Sequence, residues 1–224
     1  GAYYIQRAAE AGMISLALSN SFPKVAAHGG YRPVLGTNPF AFGAPRRDGR
    51  ALILDMSTAG LAGSTVRAYQ REGLDLPEGL VVDDEGRPVT DPETAMKGTL
   101  LPASGPKGFG LALMVEVLSG VLTGAGIASQ VASMYKDFEQ HGNSGHFILT
   151  LDVARWMPLE TFYERLDLLT QMVAGSGEEG TVRLPGEARW EAMAENREKG
   201  IPLEDKTAAA LRDLAEEAGV AIAW

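Results

Sequence analysis

The run Leu52-Ile53-Leu54-Asp55-Met56-Ser57 puts one carboxylate at the end of a very apolar segment. Ligand sites in open α/β sheets gather at the C-terminal ends of strands. Asp55 is therefore a candidate to orient a catalytic histidine, or to accept a hydrogen bond from a ribose or an amide. As an ordinary strand-end aspartate it would cap a helix or begin a loop. The run Gly105-Pro106-Lys107-Gly108-Phe109-Gly110 leads a loop into a helix. Its glycines would let backbone approach a phosphate, the helix start favours an anion, and Lys107 adds positive charge. The spacing is neither that of a Walker loop nor that of the dinucleotide fingerprint, and a turn with a solvated lysine is the plain alternative. Gly36-Thr37-Asn38-Pro39 offers a hydroxyl, an amide and backbone N–H groups to a small carboxylate. The same residues equally suit an Asn-Pro turn that serves its own backbone.

His28 and Arg32 stand near that turn. His28 could act as a general acid or be an ordinary loop histidine. His146 follows Gly145 at the start of an apolar run, where a partly buried histidine with a satisfied hydrogen bond is the commoner outcome. Glu116 lies inside an apolar helix, and a buried carboxylate needs a partner. A structural role with a backbone or basic partner is expected there. His141 and His146 are five residues apart, a spacing that puts them on different faces of a helix or strand, so no metal site is expected. A hydrolase built on His28 or His146 would lack any Gly-x-Ser-x-Gly elbow.

The net charge of −9 argues against nucleic acid or an anionic membrane surface as partner, since both need a basic face. The absence of cysteine removes disulfides, thiolate metal sites and cysteine nucleophiles, and is compatible with the cytoplasm, the location expected. The opening residues GAYYIQRAAE carry charge where the apolar core of a signal peptide would run. Residues 108–128 are broken by Glu116 and by glycines, and read as a buried helix rather than a membrane span.

These residues must be positioned by alternating strands and helices. The periodicity predicts helices over 2–11, 58–72, 108–123, 158–174, 189–199 and 205–218, and strands over 14–19, 51–57 and 146–152. The Leu-Ile-Leu run suggests that the strand at 51–57 is buried on both faces. Residues 20–45 are read as loops around one or two short strands, residues 73–98 as loop with a turn at 84–86, and 124–145 as irregular. Strands mixed with helices predict an α/β layered domain over 1–180. A charged helical segment follows over 181–224 and is expected to pack with a region preceding Gly1.

In order along the chain, AAEAGMI, SNS, HGGYRPVLGTNPFAFGAP, LILDMS, DDEGRPVTDP, LLPASGPKGFGLALMVEVLSG, GHFILTLD and RLPGE with AENREKGI resemble the malate/L-lactate dehydrogenase type-2 family. The resemblance implies a non-Rossmann layered mixed sheet with flanking helices and a homodimer. It implies hydride transfer between the nicotinamide of NAD or NADP and C2 of a small 2-hydroxy/2-oxo acid or cyclic imino acid. It further implies that Leu52, Ile53, Leu54, Asp55, Met56 and Ser57 line the cofactor site, with Asp55 beside the catalytic histidine. Pro106 and Lys107, Gly186 and Glu187 would also meet the cofactor, Ser19 and Ser21 would lie near the nicotinamide, and Thr37 at the substrate.

Two departures bear on this. Pro106 stands where the family often has histidine. The family's general acid, a histidine in a Ser-x-His-Gly motif, lies upstream of any segment like Gly1–Tyr4 and has no counterpart in this sequence. The 224-residue chain by itself is therefore expected to be weakly active or inactive. A non-catalytic nucleotide-binding remnant of the same fold is the alternative reading. The usual acidic-residue rule for the ribose does not transfer to this fold, so NAD and NADP both stay open.

Overall fold

Strand β1 (Met13–Ser19) forms around Ser15, Ala17 and Leu18, which are buried. It is central in a sheet of order β5-β4-β1-β8, with β4 spanning Phe40–Ala44, β5 Leu52–Met56 and β8 His146–Asp152. Every pairing in this sheet is antiparallel. Helix α1 (Ala2–Glu10) packs on it through Ile5, which is 1% exposed. The close approach depends on Gly43, where a Cβ would stand 3.0 Å from the Ile5 Cβ.

A second sheet has the order β3-β2-β7-β6, with β2 at Val25–Ala26, β3 at Pro33–Leu35, β6 at Val81–Val82 and β7 at Thr99–Leu100. It is mixed, since β2 runs parallel to β7 and the other pairs are antiparallel. Val25, Val66, Val81 and Leu100 form its core together with α2 (Gly63–Glu72) and α3 (Pro92–Ala95). Asp91 starts α3 by accepting the Thr94 N–H at 2.8 Å, which satisfies one of the helix's orphan donors. Lys24 reaches across to the Met96 and Gly98 carbonyls at 3.1 and 2.8 Å. Its burial, and the charge of Lys136, lower its pKa below the ordinary lysine value.

Helix α4 (Pro106–Glu116) leads into a π-helical turn at Val117–Val121, in which Leu122 N–H donates to the Val117 carbonyl. Helix α5 (Leu159–Ala174) follows β8. The structure, a computed structural model, describes residues 1–222 and separates into two units, Gly1–Pro185 and the residues from Gly186 onward. The second unit consists of α6 (Glu187–Lys199) and α7 (Asp205–Glu217), and neither helix has a buried residue. No helix among the described residues is long and apolar enough to cross a membrane.

The α/β class is the architecture found, with helix-flanked sheets of which one is antiparallel and the other mixed. Several local expectations need correction. Residues 20–45 hold three strands rather than one or two. Strand β5 is not buried on both faces: Ile53 is buried, Leu52 and Leu54 are half-buried, and Met56 is exposed. The reason is that β5 is an edge strand of an antiparallel sheet, with β4 as its one strand partner. The apolar run at 108–123 does not continue as one α-helix, because the backbone widens into the π-turn after Glu116.

Candidate functional site

A cavity of about 440 Å³ opens beside the antiparallel sheet. Its walls are largely apolar, with Tyr4, Leu18, Phe40 and Ile148 among them, and Ser19, Asp55 and His146 supply side-chain polarity. Strand register brings these groups together. Ser19 on β1 stands directly opposite His146 on β8, and Asp55 on β5 opposite Ala41 on β4. Residues far apart in sequence thus meet because the four hydrogen-bonded strands of this sheet hold them side by side.

Asp55 accepts the Ala2 N–H at 2.8 Å, and the Gly1 nitrogen stands 3.3 Å away. The carboxylate therefore satisfies the first free donor of α1 and is fixed at the cavity wall. The exposed edge of β5 is met by the segment before Gly186, since Ile53 N–H donates to the Pro185 carbonyl at 3.1 Å. The RLP part of RLPGE is thereby brought beside LILDMS.

The turn residue Thr37 is also tied to LILDMS. Its carbonyl accepts from Thr58 N–H at 3.0 Å, from Ser57 Oγ at 3.1 Å and from Thr58 Oγ1 at 3.0 Å. The Ser57 hydroxyl also accepts the Ala59 N–H, so it is committed to the loop. Ser19 Oγ donates to the Asn20 carbonyl.

Behind the cavity lies a buried polar cluster centred on Glu116. Its Oε1 accepts from Ala128 N–H at 2.8 Å and from Asn20 Nδ2 at 3.3 Å, and its Oε2 accepts from Asn38 Nδ2 at 2.7 Å. Glu116, Asn20 and Asn38 are 5%, 1% and 0% exposed. The backbone partner expected for Glu116 is present. In place of a basic partner there are two asparagine amides. Ser21 N–H donates to Asn38 Oδ1, which places Ser21 against this cluster.

Pro106 and Lys107 occupy the first positions of α4, exposed to solvent and outside the cavity wall. Gly105 precedes them with φ +62, a conformation that favours glycine. Gly108 meets a packing demand: a Cβ there would overlap the Ala103 carbonyl oxygen and lie 2.7 Å from that of Thr58. Gly186, with φ 99, caps α6 and Glu187 opens it, in the second unit. His28 is exposed in the β2–β3 hairpin and lines a separate cleft with Tyr31 and Gly105, so it does not join Asp55. Arg32 lies over the Tyr31 ring at 5.7 Å.

The sequence reading did not single out Tyr4, Phe40 or Ile148 as cavity residues, nor Asn20 and Asn38 as partners of Glu116. Only strand register shows that His146 faces the site.

Fold and cavity together define an α/β domain with a largely apolar cavity of small-ligand size. The chain belongs to the malate/L-lactate dehydrogenase family, whose model matches residues 1–212. It is 38% identical over 200 residues to the (2R)-3-sulfolactate dehydrogenase (NADP(+)) of Chromohalobacter salexigens, which covers 89% of this chain and 58% of that protein. Among solved structures, the sulfolactate dehydrogenase from Methanocaldococcus jannaschii superposes with a TM-score of 0.86 at 32% identity, covering 98% of this chain and 63% of that one. The Δ1-piperideine-2-carboxylate reductase from Pseudomonas syringae pvar. tomato gives a TM-score of 0.85 at 34% identity, covering 96% and 64%. The chain thus spans less than two thirds of the length of these relatives.

Proposed function

We propose that the protein is an NAD(P)-dependent oxidoreductase that moves a hydride between the nicotinamide and C2 of a small 2-hydroxy/2-oxo acid or a cyclic imino acid. The observation that carries this reading is the apolar cavity on which Ser19, Asp55 and His146 converge, in a chain of this family. A cavity of about 440 Å³ has the size and the apolar lining of a small-ligand pocket. When bound, the nicotinamide supplies or accepts the hydride.

The chain's own residues do the remaining work. Leu18 and Phe40 exclude water from the reacting carbon, which strengthens every polar interaction inside. Asp55, fixed by the Ala2 N–H, holds and orients the proton donor that meets the oxygen at C2. Lys107 and the N-terminus of α4 form a local positive site for the diphosphate, within a chain whose net charge is −9. The backbone of Leu52 to Ser57, with Met56 at its exposed end, and Pro106 complete the cofactor contacts. Ser19 and Ser21 lie toward the nicotinamide and Thr37 toward the substrate.

Titration with NADH and then NADPH, followed by nicotinamide fluorescence, tests the cofactor site. Saturable binding of one of them is expected, and Lys107→Ala should weaken it about tenfold, the worth of one charged contact. Failure of a folded protein to bind either dinucleotide would count against the reading.

The protein is further assigned to the cytoplasm and to a homodimer. For the dimer, support comes from the exposed apolar side chains of Ile148 and Leu149 on β8, and of Leu168 and Met172 on α5. Sedimentation at micromolar concentration should give twice the chain mass, and a monomer there would refute the dimer.

A further inference from the structure

We propose that Glu116 is a positioning residue for the cavity: its buried carboxylate sets the placement of Ser19, His146 and the 37–39 turn without touching the ligand. This rests on the functional reading above.

Of the three residues that donate to Glu116, Ala128 is remote in sequence from the cavity wall, while Asn20 and Asn38 each sit one residue away from a wall residue. Asn20 is next to Ser19, and Asn38 is next to Pro39, which also lines the cavity. Asn20 carries the constraint further: its Oδ1 accepts the Gly145 N–H at 2.7 Å, and its backbone N–H donates to the Gly145 carbonyl at 3.3 Å. Gly145 is next to His146. Asn20 Nδ2 also donates to the Gly126 carbonyl at 2.8 Å, and Asn38 Nδ2 to the Ala112 carbonyl at 3.0 Å.

One acidic side chain on α4 thus fixes the SNS segment, the TNP turn and the entry to β8. These are the pieces that meet at the mouth of the site. The apolar surroundings explain why an acid is needed. A leucine at 116 would leave the Ala128 N–H and two asparagine amides short of an acceptor in a buried place. A glutamine keeps the shape but turns one acceptor oxygen into an NH₂ that faces N–H donors. The misfit is local, and Asn20, Asn38 or both must move. Misplacement of site groups by about 1 Å far from the chemistry can cost about a hundredfold in rate.

The test compares Glu116→Gln with Val66→Ala, a cavity mutant in the core of the second sheet, far in role from the site. Urea midpoints are first measured for both, so that kinetic differences are read at known stability. The first readout is the His146 imidazole resonance, assigned with His146→Gln. It should shift in E116Q and stay in place in V66A. The second is kcat for reduction of a 2-oxo acid, which should fall about a hundredfold in E116Q and remain within twofold in V66A. An unmoved His146 signal in E116Q, or an equal displacement in V66A, overturns the proposal. Retention of wild-type kcat by E116Q also overturns it. A His146 shift confined to E116Q, in a protein that carries the family's upstream Ser-x-His-Gly segment and still reduces no 2-oxo or imino acid, upholds the positioning of the cavity and rejects the reading of what the cavity reduces.

Discussion

Gly145→Ala is expected to destabilise the protein by about 3 kcal/mol, the upper end of what one inserted methyl usually costs. A Cβ at this position would stand 1.6 Å from the Ser119 carbonyl oxygen, 2.7 Å from its carbon and 2.9 Å from the Ala125 Cβ. Two of these atoms are backbone, so no rotamer change relieves the overlap. The entry to β8 and the π-turn would have to separate, and the two hydrogen bonds between Gly145 and Asn20 would be strained with them. The urea midpoint is the measurement. Gly142→Ala, a few residues away with open space around it, is the matched control and should shift stability by less than about 0.5 kcal/mol. Equal midpoints for the two variants would show that the close packing of Gly145 on Ser119 is not maintained in solution.

Asp55→Asn is expected to lower turnover by about a hundredfold or more while leaving the fold nearly as stable as before. Asparagine is as good as aspartate at the start of a helix, and its side-chain oxygen can still accept the Ala2 N–H. What is lost is the negative charge on the cavity wall, and with it the orientation and stabilisation of a cationic proton donor. The side chain is 20% exposed, so the site is partly shielded and the charge acts at short range. Stability by urea and kcat/KM on the same preparation separate the two roles. A variant that keeps turnover within threefold would reduce Asp55 to a helix cap. A variant that loses turnover only in proportion to its unfolded fraction would do the same.

How much of this was legible in the sequence follows from the range of each interaction. Strand β8 was found at its observed bounds because HFILTLD is a local pattern framed by Gly145 and a following turn. Helices α1, α5 and α7 were located to within a residue or so for the same reason, their periodicity being internal to each segment. The short strands β2, β3, β6 and β7 were not separable from loop. A strand of two or three residues has no periodicity to read and exists only through partners elsewhere in the chain, as β2 does through β7. The two-face burial expected of β5 failed because composition reports hydrophobicity and not position in a sheet, and an edge strand can be as apolar as a central one.

The candidate site divides the same way. Asp55, Ser19 and His146 were recognisable as polar residues in suggestive places. Their convergence depends on antiparallel register, which no local pattern encodes. Glu116 was legible as a buried acid needing partners, because charge in an apolar helix is a local anomaly. Asn20 and Asn38 were not identified as those partners, since they lie 96 and 78 residues away. Lys107 was read correctly as standing at a helix start. Within the Gly-rich run around it, Gly108 is held by contact with Ala103 and Thr58, a packing demand that neither the phosphate-binding nor the simple-turn reading of the run contains.

The most direct test of the account is where the hydride goes. The protein is supplied with reduced nicotinamide cofactor deuterated at C4, in NAD and NADP forms, together with a set of small 2-oxo acids and cyclic imino acids, and the products are analysed by mass spectrometry and NMR. The account predicts a product carrying one deuterium at C2, formed in step with oxidation of the cofactor and reduced about a hundredfold by Asp55→Asn. Oxidation of the cofactor without deuterium at C2, or no reduction of any acid in the set by a folded, dinucleotide-binding protein in which this chain is joined to the family's upstream Ser-x-His-Gly segment, would contradict it.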